Sequence, residues 1–184
     1  MSNNTLLKRG SFAAYFTAVL STLLALGADQ PRLDSHLEGL RPLLEKTWKG
    51  PFKNSTPEKP IVDVMRWERA LNGQAVRILH SINNGLYGGE SIVRWDEAKQ
   101  QVVYHYFTTA GFSTTGTMQF EGKKILSHEV VSGSSEGVTE TRGVSQLLPD
   151  GGLQVKSEYL KNGTWVPGHE ATYREDASAK VIFQ

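Results

Sequence analysis

The chain has 184 residues, with 20 Lys and Arg against 19 Asp and Glu, a net charge of +1 and no cysteine. A charge this close to zero, without blocks of like charge, argues against nucleic acid as a partner. The absence of cysteine excludes a disulfide framework and lipid attachment at a cysteine. A single domain of this length buries enough surface to fold without such staples.

The first 28 residues have the pattern of a cleaved secretory signal. Lys8 and Arg9 precede an uncharged apolar run over residues 11–26, and Ala25-Leu26-Gly27-Ala28 offers small residues where signal peptidase cuts. The sequence therefore predicts export, to the periplasm or the extracellular space. An uncleaved anchor is the alternative, because the run approaches the roughly 17 to 25 residues that span a bilayer. In that case this segment would be the protein's membrane contact.

Residues 29–46 follow as an N-terminal segment that contains one short helix. Asp34 or Ser35 is placed to cap its first turn, and Pro42 predicts that it ends near Arg41. Four leucines at helical spacing form a single apolar face: Leu33, Leu37, Leu40 and Leu44. In a barrel, a helix of this kind covers one end.

From Trp48 to Arg174 the sequence is a series of short strands separated by turn signals. Pairs such as Asn72-Gly73 and Asn162-Gly163 mark the turns, and no helical pattern intervenes. This predicts an all-β fold, an antiparallel up-and-down barrel of about eight to ten strands over residues 47–176. Residues 177–184 would be a C-terminal tail. A barrel of this size encloses either packed side chains or one small ligand.

The turn at Asn72-Gly73 predicts which side chains point inward. A two-residue type I′ turn pairs Leu71 with Gln74 and places Glu68 opposite Arg77 on the outer face. Alternation along this and later strands predicts a mainly apolar lining, which we take as the candidate ligand contacts: Met65, Trp67, Ile78, His80, Phe112, Met118, Phe120, Tyr159 and Trp165.

Three side chains on this lining are candidate polar contacts for the ligand: Thr114, Ser157 and Arg69. The alternative is that bulky side chains fill the barrel and leave no cavity. Residues 102–108 are apolar or aromatic at nearly every position, so alternation does not assign their inward face.

Three segments resemble lipocalin-like, or calycin, barrels: residues 40–50 with Trp48 and Gly50, residues 88–107, and residues 165–174. The resemblance extends to bacterial exported families of unknown function and leans toward fatty-acid-binding-protein-like and nitrobindin-like barrels. It implies binding of a small apolar ligand or heme rather than turnover. It also implies that Trp48 and Arg174 pack together as a cation–π pair that closes the barrel.

Motifs for catalysis and metal binding are missing from the sequence. There is no Gly-x-Ser-x-Gly elbow for a serine nucleophile and no His-Glu-x-x-His spacing for a metal. Heme needs only one interior imidazole, and His169 and His80 are equal candidates for it. The sequence therefore favours an exported, non-enzymatic carrier of a small hydrophobic molecule. A heme-binding barrel and an interaction domain with a filled core are the alternatives.

Overall fold

The structure, a computed structural model, describes residues 32–184, and the signal segment predicted over residues 1–28 lies outside them. The described residues form ten strands: β1 (Lys46–Pro51), β2 (Val62–Ala70), β3 (Ala75–Ile82), β4 (Tyr87–Asp96), β5 (Gln101–Thr108), β6 (Ser113–Glu121), β7 (Lys124–Ser132), β8 (Val138–Leu147), β9 (Leu153–Lys161) and β10 (Thr164–Glu175). Each strand pairs antiparallel with the next, and β1 pairs with β10 to close the barrel. The predicted all-β up-and-down barrel is confirmed.

One helix precedes the barrel, a 3-10 helix over Ser35–Leu43 that includes Pro42. The Asp34 carboxylate caps it by accepting a hydrogen bond from the His36 backbone N–H at 2.9 Å. The helix runs slightly past the predicted end at Arg41. Three of its leucines are buried against the end of the barrel: Leu37, Leu40 and Leu43. None of the helices in residues 32–184 is long and apolar enough to cross a membrane.

The hairpin between β2 and β3 has the register that its turn predicts. Asn72 and Gly73 have φ values of 54° and 85°, and the Gln74 N–H donates to the Leu71 carbonyl at 3.1 Å. Positive φ at both central positions defines a type I′ turn. Glu68 then lies opposite Arg77, as expected.

Strand β5, whose inward face the sequence left open, places Tyr104 and Tyr106 inside the barrel. Glycines on the neighbouring strands make room for both rings, because a Cβ atom on Gly89 would lie 2.3 Å from the Tyr106 ring and one on Gly116 would lie 2.7 Å from the Tyr104 ring. His105, on the opposite face of the strand, is exposed. Tyrosine rings therefore occupy much of the interior.

A bulge in β10 reverses the expected placement of Trp165. Pro167 lies opposite Glu158 and Glu170 lies opposite Lys156, so three steps along β10 match two along β9. The extra residue shifts the alternation, and residues on either side of the bulge face opposite ways. The Trp165 ring lies on the outer face, 4.3 Å from the Arg142 guanidinium. Its predicted interior position is wrong.

The expected packing of Trp48 against Arg174 is also wrong. Trp48 is 1% exposed in the core, whereas Arg174 lies on the outer face and binds the Asp150 carboxylate at 2.6 Å. Trp48 is opposite Glu175 and Arg174 is opposite Lys49, so alternation separates the two side chains. The cation near the Trp48 ring is Lys46, at 5.6 Å.

The C-terminal tail packs on the turn between β3 and β4. The Ile182 N–H donates to the Ser81 hydroxyl at 3.0 Å, and the Gln184 amide donates to the Asn84 carbonyl at 2.8 Å. Residues 177–184 are thereby tied to the end of the barrel that lies opposite the helix.

Candidate ligand site at the open end of the barrel

The two ends of the barrel have different interiors. At the end covered by the helix, here called the closed end, the lining is apolar and almost without exposure: Trp67 5%, Val76 0%, Val93 0% and Leu153 1%. No helix covers the other end, here called the open end. Its lining is aromatic and polar, and its side chains are half-buried: Phe52, His80, Tyr87, Tyr106, Phe112, Glu129, Tyr159 and His169.

A chain of hydrogen bonds runs across the open end from β2 to β4. Asp63 is 3% exposed, and its carboxylate contacts the Tyr173 hydroxyl at 2.9 Å and the His80 Nδ1 at 3.1 Å. The His80 Nε2 contacts the Tyr106 hydroxyl at 2.7 Å, and that hydroxyl contacts the Tyr87 hydroxyl at 2.8 Å. The five side chains form one connected network.

A second cluster surrounds His169 on β10. The His169 Nδ1 lies 2.9 Å from the Ser157 hydroxyl and 3.1 Å from the Tyr159 hydroxyl. The Phe52 ring stacks on the imidazole at a centroid distance of 5.3 Å. Burial lowers the pKa of His169, and this outweighs the charge of Asp63, which raises it; His80 lowers it by a still smaller amount. The imidazole is therefore neutral near pH 7.

Glu129 brings a second carboxylate into the interior. The Thr114 hydroxyl, on a side chain 3% exposed, donates to its Oε2 at 2.5 Å. Burial raises the pKa of Tyr104, and the charge of Glu129 raises it further. Burial is also the first cause of the raised pKa of Tyr87 and Tyr106, and the charges of Asp63 and Glu129 add to it at both hydroxyls. The charges of Asp63 and Glu129 therefore both raise the pKa of Tyr87 and of Tyr106.

The candidate contacts predicted from the sequence divide between the two ends. Five of them belong to the apolar core or pack against it: Met65, Trp67, Ile78, Met118 and Phe120. His80, Phe112 and Tyr159 lie at the open end, where the Phe112 ring stacks against Tyr87 at 6.4 Å. Of the three polar candidates, Thr114 and Ser157 are at the open end, whereas Arg69 binds Glu45 at 3.1 Å. The apolar lining is thus confined largely to the closed half.

Sequence reasoning missed several residues of the open end: Asp63, Tyr87, Tyr104, Tyr106, Glu129 and Tyr173. The sequence could have identified Asp63 as an inward residue, because it shares the inward alternation of Met65 and Trp67 on β2. It could also have identified the inward tyrosines of β5, because each lies beside a glycine on a neighbouring strand.

Two surface cavities are also present. One of about 670 Å³ adjoins the open-end residue Phe52 and is lined by residues 51–53, 55–57 and 170–172. Another, of about 220 Å³, lies beside the helix at Leu43 and Leu153. Among residues 32–184, no group of three or more His, Asp or Glu side chains is arranged to hold a metal ion.

Comparisons with known proteins identify the fold and do not identify a family. No family model matches the chain, and no curated protein matches it either. Among solved structures, the crystal structure of Rv2717c from M. tuberculosis is similar, with a TM-score of 0.58 and 16% sequence identity over 79% of this chain and 99% of that one. At this identity, the likeness shows a shared barrel fold.

Proposed function

We propose that the protein binds a small molecule at the open end of the barrel and acts as a carrier or sensor. The supporting observation is the polar network of the buried Asp63 with the half-buried His80, Tyr106 and Tyr87, set against the apolar closed end. Buried polar groups contribute less to stability than well-packed apolar ones, as buried ion pairs illustrate. A lining kept polar and partly accessible suits a ligand that has an apolar body and a hydrogen-bonding group.

Native mass spectrometry of protein purified without denaturation tests this proposal. We expect a non-covalently bound molecule in the wild type, and a smaller fraction of the protein carrying it in Thr114→Val. The matched control is Thr115→Val, because Thr115 is the next residue of β6 and is exposed on the outer face. A bound mass that is unaffected by Thr114→Val would place the ligand outside this site. The absence of any bound mass, together with a fully packed interior, would favour an interaction domain instead.

Heme is a second candidate ligand, and the geometry favours His169 over His80 as its iron ligand. Both nitrogens of His80 have partners. In contrast, only the Nδ1 of His169 is bonded, which leaves Nε2 without a hydrogen-bond partner among residues 32–184. A neutral imidazole that is oriented through its other nitrogen is the usual form of a metal-ligating histidine. Bound through His169, a heme would supply an iron that can take a small ligand.

Hemin titration followed by absorbance distinguishes the two histidines. We expect a Soret band that His169→Ala abolishes and His80→Ala retains. His105→Ala is the matched control, because His105 is exposed on the outer face of β5. An equal band in wild type and His169→Ala would exclude His169 as the ligand.

We also propose that the protein is exported and that residues 1–28 are removed. The support is the charged, apolar and small-residue order of that segment. Intact-mass measurement of the protein recovered from the periplasm or the medium should place Asp29 at the N-terminus. A full-length product in the cytoplasm would contradict export.

A further inference from the structure

The barrel wall is incomplete on one side of the open end. Strand β9 pairs with β10 from Thr164 onward. On its other edge, β10 is bonded to the β1 side from Glu170 onward, where the Glu170 carbonyl accepts from the Lys53 N–H at 2.7 Å. Residues 164–169 therefore have an edge that no strand within the described part of the chain pairs with on the β1 side. The loop of residues 52–61, which joins β1 to β2, begins beside this edge.

Phe52 belongs both to an outer cavity and to the interior of the open end. Its ring stacks on the His169 imidazole at a centroid distance of 5.3 Å, with the planes 19° apart. The same residue lines the surface cavity of about 670 Å³. Sites for small molecules have volumes of about 300 to 1,000 Å³. The cavity is thus large enough for a small molecule, and Phe52 lies between it and His169.

The loop is a compact hairpin held by its own hydrogen bonds. The Phe52 N–H donates to the Ile61 carbonyl at 2.9 Å, and the Ile61 N–H donates to the Ser55 hydroxyl at 2.9 Å. Thr56 and Lys59 exchange two backbone hydrogen bonds, at 3.1 and 3.2 Å. A loop bonded in this way moves as one body.

The two sides of the loop are attached differently. Toward β3, the Asn83 side-chain amide accepts from the Val62 N–H at 2.9 Å and donates to the Pro60 carbonyl at 2.7 Å. Toward β10, the Lys53 ammonium binds the Glu170 carboxylate at 2.9 Å with 73% of the lysine side chain exposed. Exposed ion pairs contribute little to stability. The side that contacts β10 is therefore the easier one to release.

The ladder between β1 and β10 is also weakened just before the loop. Hydrogen-bonding positions alternate along an antiparallel strand. Because Lys53 donates to Glu170, the preceding hydrogen-bonding position is Pro51, the last residue of β1. Proline has no N–H to donate. One bond that would hold the base of the loop to β10 is thus missing.

We propose that residues 52–59 form a flap that swings away from β10, and that small molecules reach the open end laterally, through the outer cavity and past Phe52. This inference rests on the proposed function and adds the route by which a ligand enters the site. Phe52 is the gate of this route, and Lys53 with Glu170 is its latch.

A disulfide across the latch tests whether the flap has to open. The chain has no cysteine, so a pair introduced by Lys53→Cys and Glu170→Cys forms the single cross-link. Residues that exchange backbone hydrogen bonds across antiparallel strands have Cα atoms about 5.5 Å apart, which a disulfide spans. The matched control is Lys49→Cys with Arg174→Cys, which joins the same two strands away from the loop.

The measured quantity is the rate at which diethyl pyrocarbonate modifies His169 at pH 7 in protein freed of bound molecules. Peptide mass mapping follows the reaction, and the exposed His105 is the internal reference. We expect the oxidised latch disulfide to slow modification of His169 by at least about tenfold, which corresponds to about 1.4 kcal/mol in the free energy of opening. The control disulfide should leave the rate near that of wild type.

Two further forms should react faster at His169. Reduction of the latch disulfide should restore at least the wild-type rate, because the Lys53–Glu170 ion pair is then absent as well. Phe52→Ala should raise the rate severalfold, because it removes the ring that covers the imidazole. The rate at His105 should stay the same in every form.

Four results would overturn the flap. They are an unchanged His169 rate in the oxidised latch disulfide, equal slowing by the control disulfide, no reaction at His169 even in Phe52→Ala, and acceleration by Phe112→Ala but not by Phe52→Ala. The last result would place the route at the axial mouth of the barrel. None of these measurements uses a ligand, so a bound molecule sensitive to Thr114→Val would still support the proposed function.

Discussion

The two ends of this barrel differ in how their linings contribute to stability. At the closed end, leucines of the helix and inward side chains such as Trp67 and Val76 are nearly inaccessible, and burial of apolar surface stabilises the fold. At the open end, Asp63 is buried, His80 and Tyr106 are half-buried, and their polar groups are paired to one another. The net stability that each such hydrogen bond contributes is modest, because it replaces a hydrogen bond to water. One barrel therefore uses opposite lining chemistry at its two ends.

The largest effect should come from the closed end. Trp67→Ala should lower the free energy of unfolding by about 3 to 5 kcal/mol, because the indole is 5% exposed within the core. Equilibrium denaturation measures the change. A loss within about 0.5 kcal/mol, the range of ordinary surface substitutions, would place Trp67 outside the core and contradict the comparison of the two ends.

Trp67→Phe provides the control for this prediction. The indole N–H of Trp67 is buried without a hydrogen-bond partner among residues 32–184, and an unsatisfied buried donor is unfavourable. Phenylalanine removes that donor and keeps an aromatic ring in the core. Its cost should therefore be clearly smaller than that of Trp67→Ala.

A hydroxyl in the centre of the open-end network should have an intermediate effect. Tyr106→Phe keeps the ring over Gly89 and leaves the His80 Nε2 and the Tyr87 hydroxyl without a partner, which should cost about 1 to 3 kcal/mol in unfolding free energy. Tyr87→Phe removes the last hydroxyl of the chain and should cost less. If the two substitutions have equal effects, the hydrogen bonds are not linked in the order that the structure shows.

The fold was predictable because its signals are local. Asn72-Gly73 and the residues beside it specify both the type I′ turn and the register that follows from it. Trp165 was misplaced because the bulge at Pro167–Glu170 comes from pairing with β9, which the sequence of β10 alone does not reveal. Alternation along a strand predicts whether a side chain points inward or outward only up to the next β-bulge.

The open-end network was less predictable because its partners are distant in sequence. Asp63 and Tyr173 are 110 residues apart, and His80 and Tyr106 are separated by 26. Alternation places such side chains on the inner face, but only the closed barrel brings their polar atoms within bonding distance. His80 was therefore identified as an interior residue, without any sign of the carboxylate and the hydroxyl that it bonds.

The smallest predicted effect concerns Arg174, which the resemblance to calycins had placed against Trp48. Because Arg174 lies on the outer face with Asp150, Arg174→Gln should cost far less than Trp67→Ala in unfolding free energy. A cost comparable to that of Trp67→Ala would show that the arginine contributes to closing the barrel. Equilibrium denaturation of the two variants under identical conditions makes the comparison.

The pH dependence of stability tests the ion pair between Arg174 and Asp150 separately from packing. The hydrogen bond from Arg174, followed by one from the Gly152 backbone N–H, lowers the pKa of Asp150 from 3.8 to about 2. The folded state therefore binds this proton less readily than the unfolded state, so the pair stabilises the fold above pH 3.8 and loses that contribution as the pH falls toward 2. The urea midpoints of wild type and Asp150→Asn should differ slightly at pH 5, converge near pH 2, and differ less in high salt. A difference that persists at pH 2 would show that the aspartate acts through packing or its backbone contact rather than through its charge.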